Sequence, residues 1–289
     1  MPDKLLTVRE CIARSAHYLR EKGVGTARLD AELLVGTSTG MDRLQLYLNM
    51  DRPLDTGERD RARDLLRRRA AREPMAYILG HREFRSREFE VSPAVLIPRP
   101  ETELLVDYTI EHLIARFPDA NGAYRILELG AGSGAICVSL AAELPGFHIV
   151  ATEISGAAAE VARRNAARHG VTDRIDFRVQ GDFAGIEGPF HAVVSNPPYV
   201  SNADAREMEP EVRDHEPHAA LFSGNDGLDA IRFLLGSAGT FLVPDGFLII
   251  ECGFGQAPTI SELARASGWL QNRVYKDYAG IERFVLLEK

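Results

Sequence analysis

The chain contains the segment YRILEL at residues 124–129, and GAGSG follows it at once at residues 130–134. The first segment is an apolar run of strand length, and the glycines of the second let the backbone turn tightly into a helix. Further strand patterns, separated by helical ones, occur at residues 148–152, 175–179, 190–195, 247–251, 273–275 and 283–287. Repeated βα units predict an α/β fold with a mostly parallel seven-stranded sheet, in which ligands bind at the carboxyl ends of the strands.

The first eighty residues have the apolar spacing of short helices instead. Thr7 and Glu10 form a capping-box pattern, and further helical patterns follow at residues 28–35, 44–48 and 55–73. The next segment, with Phe84 and Phe89 among polar residues and a Ser92-Pro93 turn signal, indicates a β-hairpin or extended connector. The sequence therefore predicts a helical domain at residues 1–80, a connector at 81–98 and the α/β domain at 99–289.

Composition and charge exclude several classes of protein. The 289 residues are 45% apolar, with no apolar run of membrane-spanning length and three widely spaced cysteines. Together with a start that lacks an export signal, this predicts a reduced, cytoplasmic protein without a disulfide framework or metal site. Residues 1–99 carry 19 Lys and Arg against 15 Asp and Glu, whereas residues 100–289 carry 15 against 27. Because phosphate neutralisation dominates nucleic-acid affinity, no direct nucleic-acid partner is expected.

The excess of basic residues in the helical domain is concentrated on its fourth helix. Arg67, Arg68, Arg69 and Arg72 lie there within six positions. Such a run is either a solvated helix face or a patch that binds a partner. Both interpretations stay open from the sequence.

Acidic and aromatic residues follow the next two strands, where a nucleotide-like cofactor would bind. Glu153 ends the second strand and suits the two hydroxyls of a ribose, although it also suits a helix cap near Ser155. Asp182 and Phe183 follow the third strand and suit the amino group and the face of an adenine, although Phe183 also suits the core. The glycine-rich turn satisfies the dinucleotide pattern as well, so these residues do not separate one cofactor from another.

The most informative motif is Asn196-Pro197-Pro198-Tyr199, directly after the fourth strand. The two prolines end the strand and have no N–H, so the backbone there presents carbonyl groups. The Asn196 side chain adds an amide oxygen and Tyr199 an aromatic face. This group suits a planar –NH2 substrate, whose two N–H bonds need two acceptors. Residues 195–199 contain no hydride, metal or Ser/His/Asp arrangement, and a plain turn is the structural alternative.

These motifs resemble those of the class I methyltransferases that use S-adenosylmethionine. The Asn-Pro-Pro-Tyr motif is shared by adenine-N6 methylases and by protein-glutamine N5 methylases. The rest of the chain resembles the HemK/PrmC family of release factor glutamine methyltransferases in its small helical domain and in the segments REF at 82–84, LIPRPETE at 96–103, ILELG at 126–130, NPPYV at 196–200, DY at 277–278 and ER at 282–283.

The resemblance implies a Rossmann-like fold and N5-methylation of the glutamine in the Gly-Gly-Gln motif of class 1 release factors. It implies that S-adenosylmethionine is bound by Gly130, Ala131, Gly132, Ser133, Gly134, Glu153, Asp182, Phe183 and Asn196. It further implies that Asn196, Pro197, Pro198 and Tyr199 bind the substrate glutamine, with Asn196, Pro197 and Tyr199 as the catalytic residues. Glu128 stands where many relatives have aspartate, and Phe183 where tryptophan is more common. Residues 99–103 are expected near the site, and the helical domain at residues 1–80, with its arginine-rich fourth helix, is expected to dock the release factor. The protein is expected to act as a monomer that binds no membrane.

Three alternatives remain from the sequence. A glutamine methylase of a ribosomal protein would carry the same site motif. An adenine-N6 methylase of nucleic acid would also keep it, but the acidic α/β domain argues against one. A non-catalytic protein that binds the cofactor would not need an intact Asn-Pro-Pro-Tyr motif.

Overall fold

The computed structural model describes residues 6–118 and 124–289. Within them the helices are α1 (Val8–Glu21), α2 (Ala27–Thr39), α3 (Arg43–Leu48), α4 (Thr56–Ala70), α5 (Met75–Leu79), α6 (Thr102–Arg116), α7 (Ala135–Glu143), α8 (Gly156–Arg168), α9 (Pro210–His215), α10 (Asp229–Ser237) and α11 (Ala257–Ala266). The strands are β1 (His81–Phe84), β2 (Arg87–Glu90), β3 (Tyr124–Leu129), β4 (Phe147–Glu153), β5 (Ile175–Val179), β6 (Phe190–Ser195), β7 (Leu242–Glu251), β8 (Gln271–Lys276) and β9 (Glu282–Glu288). None of the described helices is long and apolar enough to cross a membrane.

The chain divides into two compact units, Met1–Gly80 with Pro210–His215, and the remainder. The first unit contains the four predicted helices, and Thr7, Asp42 and Asp55 cap three of them in capping boxes. Such boxes satisfy two otherwise unpaired N–H groups at each helix start. Helices α5 and α9 were not predicted, because both are too short to show a periodic pattern.

Within the arginine run at residues 67–72, Arg68, Arg69 and Arg72 form ion pairs inside this first unit. Arg69 is buried and pairs with Asp30 at 2.7 Å and with Glu211 of α9 at 3.0 Å. Arg72 pairs with Glu211 at 2.6 Å, and Arg68 with Glu73 at 2.5 Å. A cation that is already paired has less to offer a partner, so the sequence pattern overstated the positive charge of this helix.

The second unit contains the predicted seven-stranded sheet, in the order β5-β4-β3-β6-β7-β9-β8. Strands β3 to β7 pair in parallel, and β9 runs antiparallel between β7 and β8. Strand β3 therefore has the next strand in sequence, β4, on one side and the later β6 on the other. The connections leave β3 in opposite directions, which opens a crevice at its carboxyl end.

Alternate residues of the strands supply the two cores of this unit. Ile126 of β3 and Ile249 of β7 belong to one apolar cluster with α6 and α7. Leu127 of β3 and Leu248 of β7 belong to a second cluster with α10 and α11. Because strand side chains alternate, both faces of the sheet are covered by helices and no strand is free to shift register.

The connector forms the predicted hairpin of β1 and β2, but its turn differs from the expected one. The turn lies at Arg85 and Ser86, whose φ angles are 50° and 56°, and not at the Ser92-Pro93 pair. Arg85 is held in place by Glu143 at 2.6 Å and Asp107 at 2.5 Å. These ion pairs, far apart in sequence, stabilise a turn that local residue preference does not indicate.

Candidate active site

A cavity of about 350 Å³ opens at the carboxyl ends of β3, β4 and β6. Its wall includes Ala94, Val95, Leu96, Pro98, Arg99 and Thr102, the glycine-rich turn with Ala135 and Ile136, Glu153, Ile154 and Ser155, Gln180 and Gly181, Asn196 and Pro198, and Pro217, Ala219 and Ala220. All of these residues belong to the second unit. The volume is that of a pocket for a small molecule, and the position is the one that the strand order favours.

The glycine-rich turn is held to the end of β4 by its backbone. The N–H groups of Gly130 and Ala131 both donate to the Thr152 carbonyl, at 2.9 and 3.0 Å. Gly132 has a φ of +57°, and a Cβ there would meet no atom within 4 Å. No side chain therefore covers the backbone of Gly132 on the side of the cavity, which lets a ligand approach this backbone closely.

Glu153 connects the turn to the start of α8. One carboxyl oxygen accepts the Gly132 N–H at 2.8 Å, and the other accepts the Ser155 N–H at 2.8 Å. The residue thus has the capping contact that its position suggested, and it also lines the cavity. A carboxylate accepts about four hydrogen bonds, so Glu153 keeps acceptor capacity for the hydroxyls of a ligand.

The residues after β5 are divided between the cavity and the core. Gln180 and Gly181 line the cavity, whereas Asp182 and Phe183 are not among its lining residues. Asp182 is exposed, and the Phe183 ring packs against Phe233 and Phe241 with centroids 5.4 and 5.3 Å apart. The aromatic character of Phe183 thus serves the core, which was the alternative that the sequence left open.

Ile154 is a lining residue that sequence reasoning missed. It is 68% exposed although it is aliphatic, and a Cβ on Gly181 would lie 3.0 Å from its Cδ1. The two residues form a flat apolar patch on the cavity wall beside Glu153. The only signal in the sequence was an isolated isoleucine after the acid that ends β4.

Hydrogen bonds fix the Asn-Pro-Pro-Tyr motif at both ends. Ser195 Oγ donates to the Leu129 carbonyl at 2.8 Å, which ties the end of β6 to β3. Asn196 Nδ2 donates to Thr102 Oγ1 at 3.1 Å. The Tyr199 carbonyl accepts from Gln256 Nε2 at 3.0 Å. Asn196 and Pro198 line the cavity, whereas Tyr199 packs beside it as part of the second core cluster.

Two acceptor atoms of this motif are without a donor in the described part of the chain, although Pro197 itself is buried and is not among the residues that line the cavity. Within residues 6–118 and 124–289, no group donates a hydrogen bond to Asn196 Oδ1 or to the Pro197 carbonyl. Burial and the nearby Glu251 carboxyl raise the pKa of Tyr199 to about 12. The phenol is therefore neutral at ordinary pH and does not serve as a base.

Two residues of the segment expected near the site reach the cavity wall, Arg99 and Thr102. The Arg99 guanidinium donates to the buried carboxylate of Glu216 at 2.7 Å, and Glu216 also accepts the Ile97 N–H at 3.2 Å. Glu103 instead accepts the Arg85 N–H at 2.9 Å and serves the hairpin. Helix α6 starts at Thr102, so Arg99 lies just before the helix and Thr102 is its first residue.

Two buried carboxyl groups lie under the site. Burial raises the pKa of Glu128, in β3, to about 8, and that of Glu251, at the end of β7, to about 7. The Cys137 thiol lowers the first pKa slightly and the Thr102 hydroxyl lowers the second, but burial dominates in each case. The described residues contain no group of His, Cys, Asp and Glu side chains that would hold a metal ion.

Structural comparison agrees with the fold. The catalytic domain of hMettl16 in complex with MAT2A 3′UTR hairpin 1 matches with a TM-score of 0.56 at 16% identity, over 78% of this chain and 80% of that one. The N-terminal domain of human METTL16 in complex with SAH matches with a TM-score of 0.51 at 16% identity, over 69% and 75%. At such low identity these likenesses establish a methyltransferase fold and nothing finer.

Sequence comparison identifies the family. Residues 10–80 match the PrmC N-terminal domain, and residues 103–211 match the methyltransferase small domain. The release factor glutamine methyltransferase of Geobacter sulfurreducens is 41% identical over 98% of this chain and 96% of its own length. The protein of the same name from Bradyrhizobium diazoefficiens is 42% identical over 95% and 92%. The chain therefore belongs to the release factor glutamine methyltransferase family.

Proposed function

We propose that this protein transfers the methyl group of S-adenosylmethionine to the side-chain amide nitrogen of a glutamine, the one in the Gly-Gly-Gln motif of a class 1 release factor. The observation that carries the proposal is the orientation of Asn196. Its Nδ2 is engaged by Thr102, which leaves Oδ1 and the Pro197 carbonyl as two acceptors for one –NH2 group. Family membership supplies the identity of the acceptor protein.

The residues around the glycine-rich turn fit S-adenosylmethionine. Gly130, Ala131, Gly132 and Ser133 line the cavity at the start of α7, where the open backbone of Gly130 and Gly132 suits the methionine part, whereas Gly134 is not a lining residue and packs against Ala162. The remaining acceptor sites of Glu153 suit the ribose hydroxyls.

We assign the adenine to the patch of Ile154 and Gly181, because both line the cavity next to Glu153. The exposed Asp182 is close in sequence and suits the adenine amino group. The contact with Phe183 that the resemblance implies is weaker, because its ring is packed in the core.

The acceptor amide would bind to Asn196 and Pro197, with Pro198 and Tyr199 beside its plane. An amide nitrogen is a poor nucleophile, because its lone pair is delocalised into the carbonyl. Two acceptors that hold its N–H bonds direct the nitrogen and stabilise the positive charge that grows on it. When bound, S-adenosylmethionine supplies a methyl group that its positive sulfur already activates. Correct placement supplies up to about 7–11 kcal/mol of the barrier in favourable cases.

This mechanism needs no strong base. The nitrogen gains a bond to the methyl carbon as the carbon–sulfur bond breaks, and the methylated amide, which is strongly acidic, loses one proton to solvent once the product leaves the apolar site. Tyr199 is neutral below pH values near its pKa of about 12, which agrees with a role in packing alone. Water is kept from the amide by the apolar wall of residues such as Pro198 and Ala220.

We further propose that the helical unit docks the release factor through an apolar face. Leu44 and Leu48 of α3 are 69% and 75% exposed, and Leu29 of α2 is 44% exposed. Such a face is more available to a partner protein than the paired arginines of α4. Replacing Leu44 and Leu48 by glutamate should raise KM for an intact release factor but not for a short Gly-Gly-Gln peptide. Ile114→Glu, at a residue of the other unit that is 57% exposed, is the matched control. An unchanged KM for the intact protein in the double variant would exclude this face.

The function itself is tested with methyl-labelled S-adenosylmethionine and three acceptors: a class 1 release factor, its Gly-Gly-Ala variant, and duplex DNA. We expect label in the intact release factor alone. Label in DNA would instead assign adenine-N6 methylation, and label in the Gly-Gly-Ala variant would move the target to another residue. A ribosomal extract as a further acceptor detects the alternative protein substrate.

A further inference from the structure

The side chain of Asn196 forms a hydrogen bond with a residue outside the Asn-Pro-Pro-Tyr motif. Its Nδ2 donates to Thr102 Oγ1 at 3.1 Å, across 94 positions of sequence. Thr102 is the first residue of α6 and is only 4% exposed. A side chain that is buried at a helix start, with its hydroxyl aimed at the acceptor motif, has a defined orientation.

The Thr102 hydroxyl has a second partner on the other side. It lies by the carboxyl group of Glu251, which ends β7 and is 2% exposed, and its interaction with that carboxyl lowers the pKa of Glu251. A hydroxyl has one hydrogen to donate. When the ionised Glu251 carboxylate takes that hydrogen, Thr102 meets Asn196 as an acceptor, which agrees with the observed donation from Asn196 Nδ2 to Thr102 Oγ1.

This direction matters because an asparagine amide has nearly the same shape after a half-turn. Sterics do not distinguish its oxygen from its nitrogen, so hydrogen bonds decide which atom faces the cavity. In the reversed orientation the Asn196 –NH2 would face the –NH2 of the substrate, donor against donor. The acceptor site would then keep only the Pro197 carbonyl.

We propose that Thr102 and Glu251 are positioning residues, which fix the Asn196 amide with Oδ1 towards the acceptor nitrogen. The proposal rests on the methyl transfer proposed above and names residues outside the Asn-Pro-Pro-Tyr motif that this transfer needs. Thr102 belongs to the cavity wall and Glu251 is not among the lining residues, and in this proposal both act through Asn196. Each acts through a series of hydrogen bonds in which Asn196 donates to Thr102 and Thr102 donates to the Glu251 carboxylate.

The charge of Glu251 determines this direction. The groups that act on it are Arg99, Glu101, Tyr199, Cys252 and Arg283. Burial, the largest cause, and the nearby Glu101 raise the pKa of Glu251. The Thr102 hydroxyl, Arg283 and Arg99 lower it, and the net pKa is about 7. The neutral carboxyl is able to donate to Thr102, which frees the Thr102 hydrogen for Asn196 Oδ1. The acceptor site is then lost as the pH falls through about 7.

The decisive variants are Thr102→Val, which keeps the shape and removes the hydroxyl, and Thr102→Ser, which keeps the hydroxyl. Thr109→Val is the matched control, because Thr109 lies in the same helix, is fully buried, and donates only to the Leu105 carbonyl. Folding of each variant is checked by circular dichroism and thermal melting. The readouts are kcat and KM with an intact release factor, and the dissociation constant of S-adenosylmethionine.

We expect Thr102→Val to lower kcat by roughly 10–100-fold, because the reacting nitrogen loses its placement. The KM and the cofactor affinity should change by less than about threefold. Thr102→Ser should recover most of the rate, and Thr109→Val should leave it unchanged. A wild-type rate in Thr102→Val, or an equal defect in Thr102→Ser, would overturn the proposal.

Glu251→Gln supplies an independent readout, since its amide no longer titrates. In the wild type kcat should fall as the pH is lowered through about 7. This fall should be absent in Glu251→Gln, and an identical fall would remove Glu251 from the account. If the wild type itself transfers no methyl group to a release factor, the proposed function is wrong. If the wild type is active and Thr102→Val has the same activity, only the positioning role of Thr102 is wrong.

Discussion

The two halves of the cavity are built in different ways. The cofactor half consists of Gly130–Gly134 and Glu153, and its contacts run through backbone N–H groups to Thr152 and Glu153. The acceptor half consists of Asn196–Tyr199, and side chains hold it, Thr102 on Asn196 and Gln256 on Tyr199. We therefore expect backbone shape to govern cofactor affinity in the first half, and the direction of single side chains to govern the transfer rate in the second.

The buried carboxyl group under each half shows the same contrast. Glu128 lies under the cofactor half, and neither of its oxygens has a well-formed hydrogen bond within the described residues. Glu251 lies under the acceptor half, and its Oε2 likewise has no well-formed hydrogen bond within the described residues, but its carboxyl lies by the hydroxyl of Thr102, which contacts Asn196. A buried polar group without a partner costs stability, whereas one within a hydrogen-bonded series orients its neighbours. Glu128 should thus influence the stability of the folded protein, and Glu251 should influence the rate of methyl transfer.

The largest effect is expected from Gly132→Val in the cofactor half. The new side chain points into the open space of the cavity and forces a φ of +57° on a β-branched residue. Cofactor affinity, measured by calorimetry, should fall by roughly 100-fold or more. Gly170→Val is the control, because its φ of +68° imposes similar strain at a turn where a Cβ also meets no atom within 4 Å. Equal cofactor affinity in the two variants would refute the role of the turn.

A smaller loss of affinity is expected from Glu153→Ala. The variant removes the acceptor for the ribose and releases the Gly132 and Ser155 N–H groups. Hydrogen bonds to charged groups contribute about 1.5–3 kcal/mol, so cofactor affinity should fall by roughly 10–100-fold. Glu153→Gln keeps one acceptor oxygen, so its cofactor affinity should lie between those of the wild type and Glu153→Ala. An unchanged dissociation constant in Glu153→Ala would disprove the ribose assignment.

Glu128→Gln should change the pH dependence of stability. The pKa of Glu128 is raised from 4.5 to about 8 in the folded protein, so folding favours its neutral form. This contribution is complete below about pH 4.5 and is lost as the pH rises through about 8. The variant stays neutral, so its Tm should exceed that of the wild type by about 2–4 °C at pH 9 and by less at pH 5. The exposed Glu160→Gln should show no such trend, and parallel melting curves for all three proteins would contradict the burial argument.

The smallest effect is expected from Tyr199→Phe in the acceptor half. The pKa of about 12 keeps the phenol neutral, and phenylalanine retains the aromatic face. The transfer rate between pH 6 and 9 should therefore change by no more than about twofold, far below the 10²–10⁴-fold that loss of a general base costs. A large drop would give the hydroxyl a chemical role that the present mechanism lacks.

The sequence predicted the fold well because its signals are local. Buried strands, capping boxes and the glycine-rich turn are each visible within a few residues, and parallel strands bring their carboxyl ends together. This placed Glu153 and Asn196 at one cavity from motifs 43 positions apart. Signals of this kind need no knowledge of distant contacts.

What the sequence did not predict depends on distant partners. Thr102 meets Asn196 across 94 positions, and Glu211 meets Arg69 across 142. Phe183 joined the core and Ile154 joined the cavity, because packing against Phe233 and Phe241 decided which side chain faced inward. Hydrophobicity alone would favour Ile154 over Phe183 for the core, which is the opposite of what the structure shows.

The most direct test of the account is Asn196→Ala, with cofactor affinity and single-turnover methyl transfer to a release factor measured on one preparation. The account predicts a dissociation constant for S-adenosylmethionine within about threefold of wild type. It predicts a transfer rate lower by roughly 10²–10³-fold, the cost of one electrostatic partner of the developing charge. Parallel loss of both quantities, or undiminished transfer, would contradict the division of the cavity into two halves.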